Sequence, residues 1–459
     1  MPLVSLPVIN PHAAGLDVGS EKIHASIAGA PARVFGACTE DLHALRDWLK
    51  ENGVTTVAME ATGIYWLSGY EVLEAAGLAV VVVNGAHVKN LPGRKSDMQD
   101  APWISTLHMH GLLRGGFVPP AQIRRLRDYQ RQRADLITMG AAHVQHMQKA
   151  LDRMNVKVHD VISSLIGVSG LKMVRAILAG ERDAEKLAAL CDAQILKKKK
   201  DRLLKALVGS WQAEHLFALR QGLEGWEFYQ RQIGACDEQM AQVLQQLASA
   251  PPGTGGEAGP AAAPVAAHKE SRHNAPQEMP RLHEWLIQTF GGTDLSTLPS
   301  LSDYTVLQLL SEVGRDMSRW PTVKHFTAWL GLAPSSRQSG KRRRREVRHG
   351  GRAGQVFRVA ARSLARARNS WLGAFYRRLA AVKGGKMANK AAARKVAELF
   401  YVALTKGMQY VEQGIQSYEE RHLAQRLQGV QRQAKQLGLT VFSLSLTQAL
   451  QTQNPEVHG

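Results

Sequence analysis

Six consecutive apolar residues, LAVVVV at 78–83, constrain this chain more than any other stretch. Four are valines, whose branched Cβ favours a pleated backbone over a helix. A strand with no polar alternation is a buried strand and needs helices to cover it. The preceding residues supply a sheet and those helices. AAGLDVG (13–19) and KIHASIAG (22–29) read as short strands turning at Gly19-Ser20, and RVFGACT (33–39) as a third. Residues 41–52 carry Leu42, Leu45, Trp48 and Leu49 at helical spacing, with Gly53 to close the helix. VTTVAME (54–60) is a strand, and YWLSGYEVLEAA (65–76) a helix ending at Gly77. Three strands followed by helix–strand–helix–strand–helix is the succession of an RNase H-like α/β domain. Periodicity alone supports α/β with a mixed sheet.

The residues that follow the LAVVVV run, 84–120, carry the chemistry. A basic loop broken by Gly and Pro precedes two aspartates three residues apart, Asp97 and Asp100. Apolar residues at Trp103, Ile104, Leu107, Leu112 and Leu113 then predict a helix. Ser96 as N-cap would put Pro102 inside that helix, where it breaks the hydrogen-bond ladder. A start near Asp100 seats Pro102 in the first turn and is the better reading. Asp17 falls within or at the end of the first strand, and Glu60 ends the fourth. A lone acid at a strand end is commonly an ordinary rim residue. Four of them near strand ends and the head of the next helix point to a bound cation, because clustered like charges are otherwise costly.

The rest of the 459 residues is long enough for further domains. Between 120 and 247 the chain turns charged and long-helical, with apolar residues three and four apart, predicting a helical arm or coiled coil. The lysines at 197–200 read as a solvated helix face. Residues 249–280 hold six prolines, four glycines and no aromatic residue, a composition suited to a flexible linker. The predicted organisation is a first domain over 1–120, a helical arm over 121–248, the linker, a mainly helical basic domain over 281–418, and a polar helical tail over 419–459.

Net charge is +19, and the basic residues are clustered. Residues 337–378 contain fourteen Lys/Arg against one acid, Glu346. Such a stretch suits a polyanion, most simply nucleic-acid phosphate. Within it Phe357, Ala361, Leu364 and Trp371 can share one helix face, with Arg358, Arg362 and Arg366 as a basic stripe beside it. Three scattered cysteines, Cys38, Cys191 and Cys236, without CxxC spacing argue against a disulfide framework or structural zinc. No apolar run approaches the roughly 18 residues of a membrane span, and the first residues lack the positive start of a signal peptide. A soluble protein of the cytoplasm, associated with the nucleoid, is expected.

Three segments, LDVGSEKI, AMEATGIYW and VKNLPGRKSDMQDAPWISTLHMHGLLRGGFVPP, resemble the amino-terminal half of DEDD-type insertion-sequence transposases, the insertion-sequence-110 family. LPSLSDYTVLQLLSEVGRDMSRWPTVKHFTAWLGLAP, with SGK shortly after, resembles the carboxy-terminal domain of that family. AARSLARARNSWLGAFYRRL and YVEQGIQSYEE suggest its 1111-like subgroup. The resemblance implies a RuvC-like, RNase H-fold first domain in which Asp17, Glu60, Asp97 and Asp100 bind one or two Mg²⁺. It implies a second domain with a nucleophilic serine, and an oligomer, dimer or tetramer. It further implies a structured bridge RNA that pairs with donor and target DNA. The family's serine precedes a Gly-Gly-Lys or similar turn, whereas here a single glycine separates Ser339 from Lys341. Ser335, Ser336 and Ser339 all lie in the loop-like APSSRQSGK, where all three could be turn residues bonding their own backbone; Gly340 suits a tight turn that presents the Ser339 hydroxyl, and the resemblance selects Ser339. Arg94, Lys95, Lys341, Arg342, Arg343, Arg344 and Arg345, with the Arg358 stripe, are the expected nucleic-acid contacts.

Two other functions fit parts of this pattern. A RuvC-like junction endonuclease would use metal-activated water and need no serine. A basic nucleic-acid packaging protein would account for the arginines but not for four acids, which weaken phosphate binding unless they carry metal.

Overall fold

A computed structural model of the chain describes residues 6–61, 63–85, 88, 100–249, 274–334, 337–339, 342–344, 351–368 and 370–439, with backbone only at 337–339, 342–344, 414–419, 421–422 and 425–426. The chain divides into two compact units, 1–119 and 120–459.

The first unit is a five-stranded sheet with helices on both faces. Its strands are β1 (Ala13–Val18), β2 (Lys22–Ile27), β3 (Arg33–Gly36), β4 (Thr56–Glu60) and β5 (Ala79–Val83), in the order β3-β2-β1-β4-β5. β1–β2 and β2–β3 are antiparallel, while β1–β4 and β4–β5 are parallel. Alternation along each strand sorts the faces. Leu16, Val18, Val57 and Met59 point to α1 (Thr39–Glu51) and α2 (Trp66–Ala75), meeting Leu42, Leu45, Leu49 and Leu73. Ala58 and Val83 point the other way, to Trp103, Ile104 and Leu107 of α3 (Asp100–Met109).

Two details of this unit differ from the sequence reading. β5 lies at the sheet edge, with Ala79 exposed and Val82 and Val83 buried. Its outer side is occupied in part by Gly116, whose N–H donates to the Val82 carbonyl at 2.7 Å. The second concerns α3, described from Asp100, which contains Pro102 but stops at Met109; residues 89–99, on which the choice between a start at Ser96 and one near Asp100 turns, lie outside the described residues. Gly111, at φ 66°, lets Leu112 N–H reach back to the Leu107 carbonyl at 2.9 Å. Leu112 and Leu113 therefore lie beyond the helix.

The second unit starts with two long helices, α4 (Ala121–Arg153) and α8 (Ala213–Ser249). Partners descend on one as they ascend on the other, Arg133 with Asp237, Gly140 with Tyr229, Met147 with Gly222, so the pair is antiparallel. Between them α5 (Val168–Leu178), α6 (Ala184–Ala189) and α7 (Ala193–Leu207) close a core of Leu151, Met154, Met173, Ile177, Leu187, Leu203 and Leu219. Lys199, inside the lysine run, interrupts α7 with φ −140° and donates to the Val161 carbonyl at 2.7 Å.

The remaining helices are α9 (Leu282–Thr289), α10 (Asp303–Val313), α11 (Val323–Trp329), α12 (Arg352–Ala360), α13 (Trp371–Lys383), α14 (Gly385–Lys406) and α15 (Met408–Gln436). Phe326, Phe357 and Phe400 are fully buried together, with Phe326 stacked on Phe400 at 6.2 Å. Each buries an aromatic ring worth about 1.5–3 kcal/mol of transfer free energy. α4 is fastened to α10 by arginines. Arg127 donates to the Ser311 and Glu312 carbonyls at 3.1 and 2.9 Å, and Arg131 grips both Glu312 carboxylate oxygens at 3.0 and 2.9 Å.

Composition assigned 274–280 to the linker, but these residues are anchored. Arg133 donates to the Asn274 carbonyl, Gln277 N–H donates to Asp237, and Met279 is buried. Residues 250–273 lie outside the described residues. The tail boundary expected at 418 falls within α15, which runs on to Gln436. Among the described residues no helix is long and apolar enough to cross a membrane.

Candidate active site

Asp17 is the fifth residue of β1, and Glu60 is the last of β4. The parallel register pairs Ala13 with Thr56 and continues to Leu16 with Met59, so the next step sets Asp17 beside Glu60. Adjacent strands are about 4.8 Å apart. Both acids share the pleat parity of Gly15 and Ala58, the face that α3 covers. Gly15 is what allows that cover to come close. A Cβ at Gly15 would lie 2.6 Å from the Ala101 carbonyl oxygen and 2.7 Å from Ser105 Cα, nearer than real Cβ contacts come. The Ala101–Ser105 part of α3 thus rests directly on β1, beside Asp100, the first described residue of that helix.

Glu60 is only 7% exposed, whereas Asp17 and Asp100 are half-buried. The Glu60 carboxylate is pressed against the backbone of Gly85, just past β5. A Cβ there would overlap Oε1 and stand 2.7 Å from Cδ. Two carboxylates in adjacent register at a partly desolvated sheet end repel, and a cation offsets that cost. The donors are all carboxylate oxygens, which suit a hard divalent ion such as Mg²⁺ rather than zinc. Among the described residues no group of three His, Cys, Asp or Glu side chains is close enough to hold one metal ion. Asp97, the fourth acid of the expected set, lies outside the described residues, as do Arg94 and Lys95.

In the second unit, β6 (Arg337–Ser339) pairs antiparallel with β7 (Arg342–Arg344), and Ser339 faces Arg342 in the register. The ends of this segment are held together at its base. Gly354 in α12 packs on the carbonyl of Leu330, just after α11; a Cβ at Gly354 would overlap that oxygen. Ser339 thus lies in one strand of a basic antiparallel pair, between α11 and α12, the helices that carry Phe326 and Phe357. Ser335, Ser336, Lys341 and Arg345 lie outside the described residues.

Residues 14–156 match a DEDD family of IS110 elements, described as transposase, and residues 292–377 match the family described as Transposase IS116/IS110/IS902. The chain belongs to the IS110 transposase family. No curated protein matches it. The first match of this transposase spans the sheet, all four acids and α4; the second spans the hairpin and α12. Proteins of these families act on DNA, and this one is a transposase or recombinase in that general sense.

The arginine stripe is not continuous in this transposase. α12 ends at Ala360, and residues 361–365 form a 3₁₀ turn. With three residues per turn, Arg362 and Arg366 leave the row that Arg358 begins. Arg358 is half-buried and donates to Gln355 Oε1 at 3.0 and 2.8 Å, whereas Arg362 and Arg366 are exposed. Phe357, Ala361 and Leu364 are buried as expected, but Trp371 opens a separate helix, α13. Sequence reasoning missed Gly15, although a glycine inside a strand is a known sign of close backbone approach. It also missed the Arg127–Arg131–Glu312 clamp, for which no local pattern exists.

Proposed function

We propose that this IS110-family protein excises and inserts an insertion sequence by cutting and rejoining DNA strands, with Asp17, Glu60, Asp97 and Asp100 as the metal-binding set of a RuvC-like, RNase H-fold domain. The observation that carries the reading is the β1–β4 register, whose next step sets Asp17 beside Glu60, under the part of α3 that carries Asp100. The strand order β3-β2-β1-β4-β5 supports the fold assignment. When bound, one or two Mg²⁺ would neutralise charge on the transferring phosphate and stabilise the leaving oxygen.

The chain's own residues supply the remainder. Ser339 is the proposed nucleophile: its Oγ attacks the scissile phosphorus, its proton passes to solvent or a base, and the leaving deoxyribose oxygen is released. The product is a serine–phosphate ester to one DNA end, which the exchanged strand's hydroxyl later displaces. Lys341 and Arg342–Arg345 would hold the phosphate, and Arg362 and Arg366 the flanking backbone. A structured guide RNA and assembly into a dimer or tetramer belong to the same proposal, resting on family membership.

The test is strand cleavage by the full-length protein with Mg²⁺. Asp17→Asn, Glu60→Gln, Asp97→Asn and Asp100→Asn should each abolish cleavage and leave DNA binding nearly intact. A variant that recombines at the wild-type rate removes that residue from the set. Trapping the covalent complex and finding the nucleotide on the Ser339 peptide supports the serine route. Normal cleavage by Ser339→Ala without any adduct would favour the water-using junction nuclease.

A further inference from the structure

The α4–α8 pair contains a cavity of about 280 Å³ that has no part in the site above. Its lining includes His143, His146, Lys149 and Arg153 from α4 and His215 and Gln221 from α8, and no carboxylate. The α4 residues recur every three or four positions and so share one helix face. His215 is 9% exposed, while Lys149 and Arg153 stand at the rim.

Several cations elsewhere in the second unit do have acidic partners. Arg131 pairs with Glu312, Arg133 with Asp237, Lys157 with Asp152 and Arg175 with Glu227. Among the described residues, none of the five basic side chains lining the cavity has an ion pair or a side-chain hydrogen bond to the protein. Their rings and chains are nonetheless held. His143 packs on Tyr229 at 5.4 Å and edge-on to His146 at 5.8 Å. Gly225 makes room for it, since a Cβ there would overlap the imidazole, and Gly222 lets Met147 approach, its Cβ position lying 2.8 Å from Met147 Cγ.

We propose that this cavity binds a phosphate oxyanion, carried on a nucleic-acid backbone or free. A pocket with an ammonium, a guanidinium and three imidazole N–H donors, and no competing acceptor charge, matches the tetrahedral oxyanion's need for several donors at once. Lys149, Arg153 and the exposed His146 would attract the anion at the mouth, and His143 and the buried His215 would receive it. Metal binding by the three histidines is disfavoured, since no three such side chains are grouped for it.

The experiment uses the full chain with isotope-labelled histidine and follows the imidazole Cε1–H signals. Inorganic phosphate and a duplex DNA oligonucleotide are titrated separately at matched chloride. The proposal expects His143, His146 and His215 to shift with phosphate while a distant ring such as His43 does not. If the oligonucleotide moves the same three signals, and Lys149→Gln/Arg153→Gln lowers the log–log salt slope of DNA binding by about 1.8, the phosphate is the nucleic-acid backbone's. If inorganic phosphate alone moves them, the occupant is a free phosphate. Signals that stay fixed in both titrations overturn the site.

Discussion

Gly15→Ala should damage catalysis more than it damages the fold, and the geometry says by how much. The added methyl would sit 2.6 Å from the Ala101 carbonyl oxygen and 2.7 Å from Ser105 Cα, with the Ser105 amide nearer still. These are backbone atoms of α3 and cannot rotate away. Ordinary contact begins near 3.4 Å, so α3 must withdraw from β1 by about 1 Å. Overpacking of this kind costs about 1–3 kcal/mol, which lowers the melting temperature of the first unit by roughly 3–12 °C. Asp100 adjoins Ala101 and moves with it relative to Asp17 and Glu60. A displacement of about 1 Å in a catalytic group, the role proposed for Asp100, costs on the order of 100-fold in rate. The assay pairs Mg²⁺-dependent strand cleavage and DNA affinity with calorimetry, using Gly351→Ala, where nothing among the described residues lies within 4 Å, as the control. Cleavage is expected to fall about 100-fold with DNA affinity unchanged. Wild-type cleavage together with an unshifted melting temperature would show that α3 does not rest on Gly15.

Arg133→Met leaves Asp237 buried without its guanidinium and should cost about 3–5 kcal/mol in urea unfolding; a loss under about 1 kcal/mol would mean that the pair is hydrated. Two histidines should give opposite pH responses. Burial pushes His108 down, with Nε2 2.8 Å from Thr56 Oγ1, so the unfolded chain binds the extra proton first. Its contribution is full above the unfolded value, near 6.5, and is lost as pH falls through the folded one. Wild type should therefore lose more stability than His108→Gln between pH 8 and pH 5, and equal losses would refute this. His283 is shifted up overall, because burial, which lowers it, is outweighed by the hydrogen bond and charge of Asp303, helped by Asp294 and Glu284. Its contribution is full below the unfolded value and fades as pH rises through the folded one. His283→Gln should thus cost more at pH 5 than at pH 8, as read by urea midpoints.

What the sequence determined on its own was local. Valine runs and strand–helix alternation were enough for the five strands, for α1 and α2, and for a helix carrying Trp103, Ile104 and Leu107. Phe357, Ala361 and Leu364 were likewise legible as a buried helix face of the carboxy-terminal core. Asp17 and Glu60 were legible as strand-end acids because each follows a short apolar run. Their adjacency was not, since it depends on β1 and β4 pairing in parallel across 43 positions, a register no local pattern encodes. The tertiary structure alone put LAVVVV at a sheet edge, ended α3 at Gly111 and split the arginine stripe into two helical geometries. It alone joined Arg133 to Asp237 and 274–277, and left three histidines, a lysine and an arginine facing one cavity without an acid. The physical reason is one of range. Propensity and periodicity act within a turn or two of the chain, whereas pairing partners, edge positions and unneutralised charge exist only once distant segments are brought together.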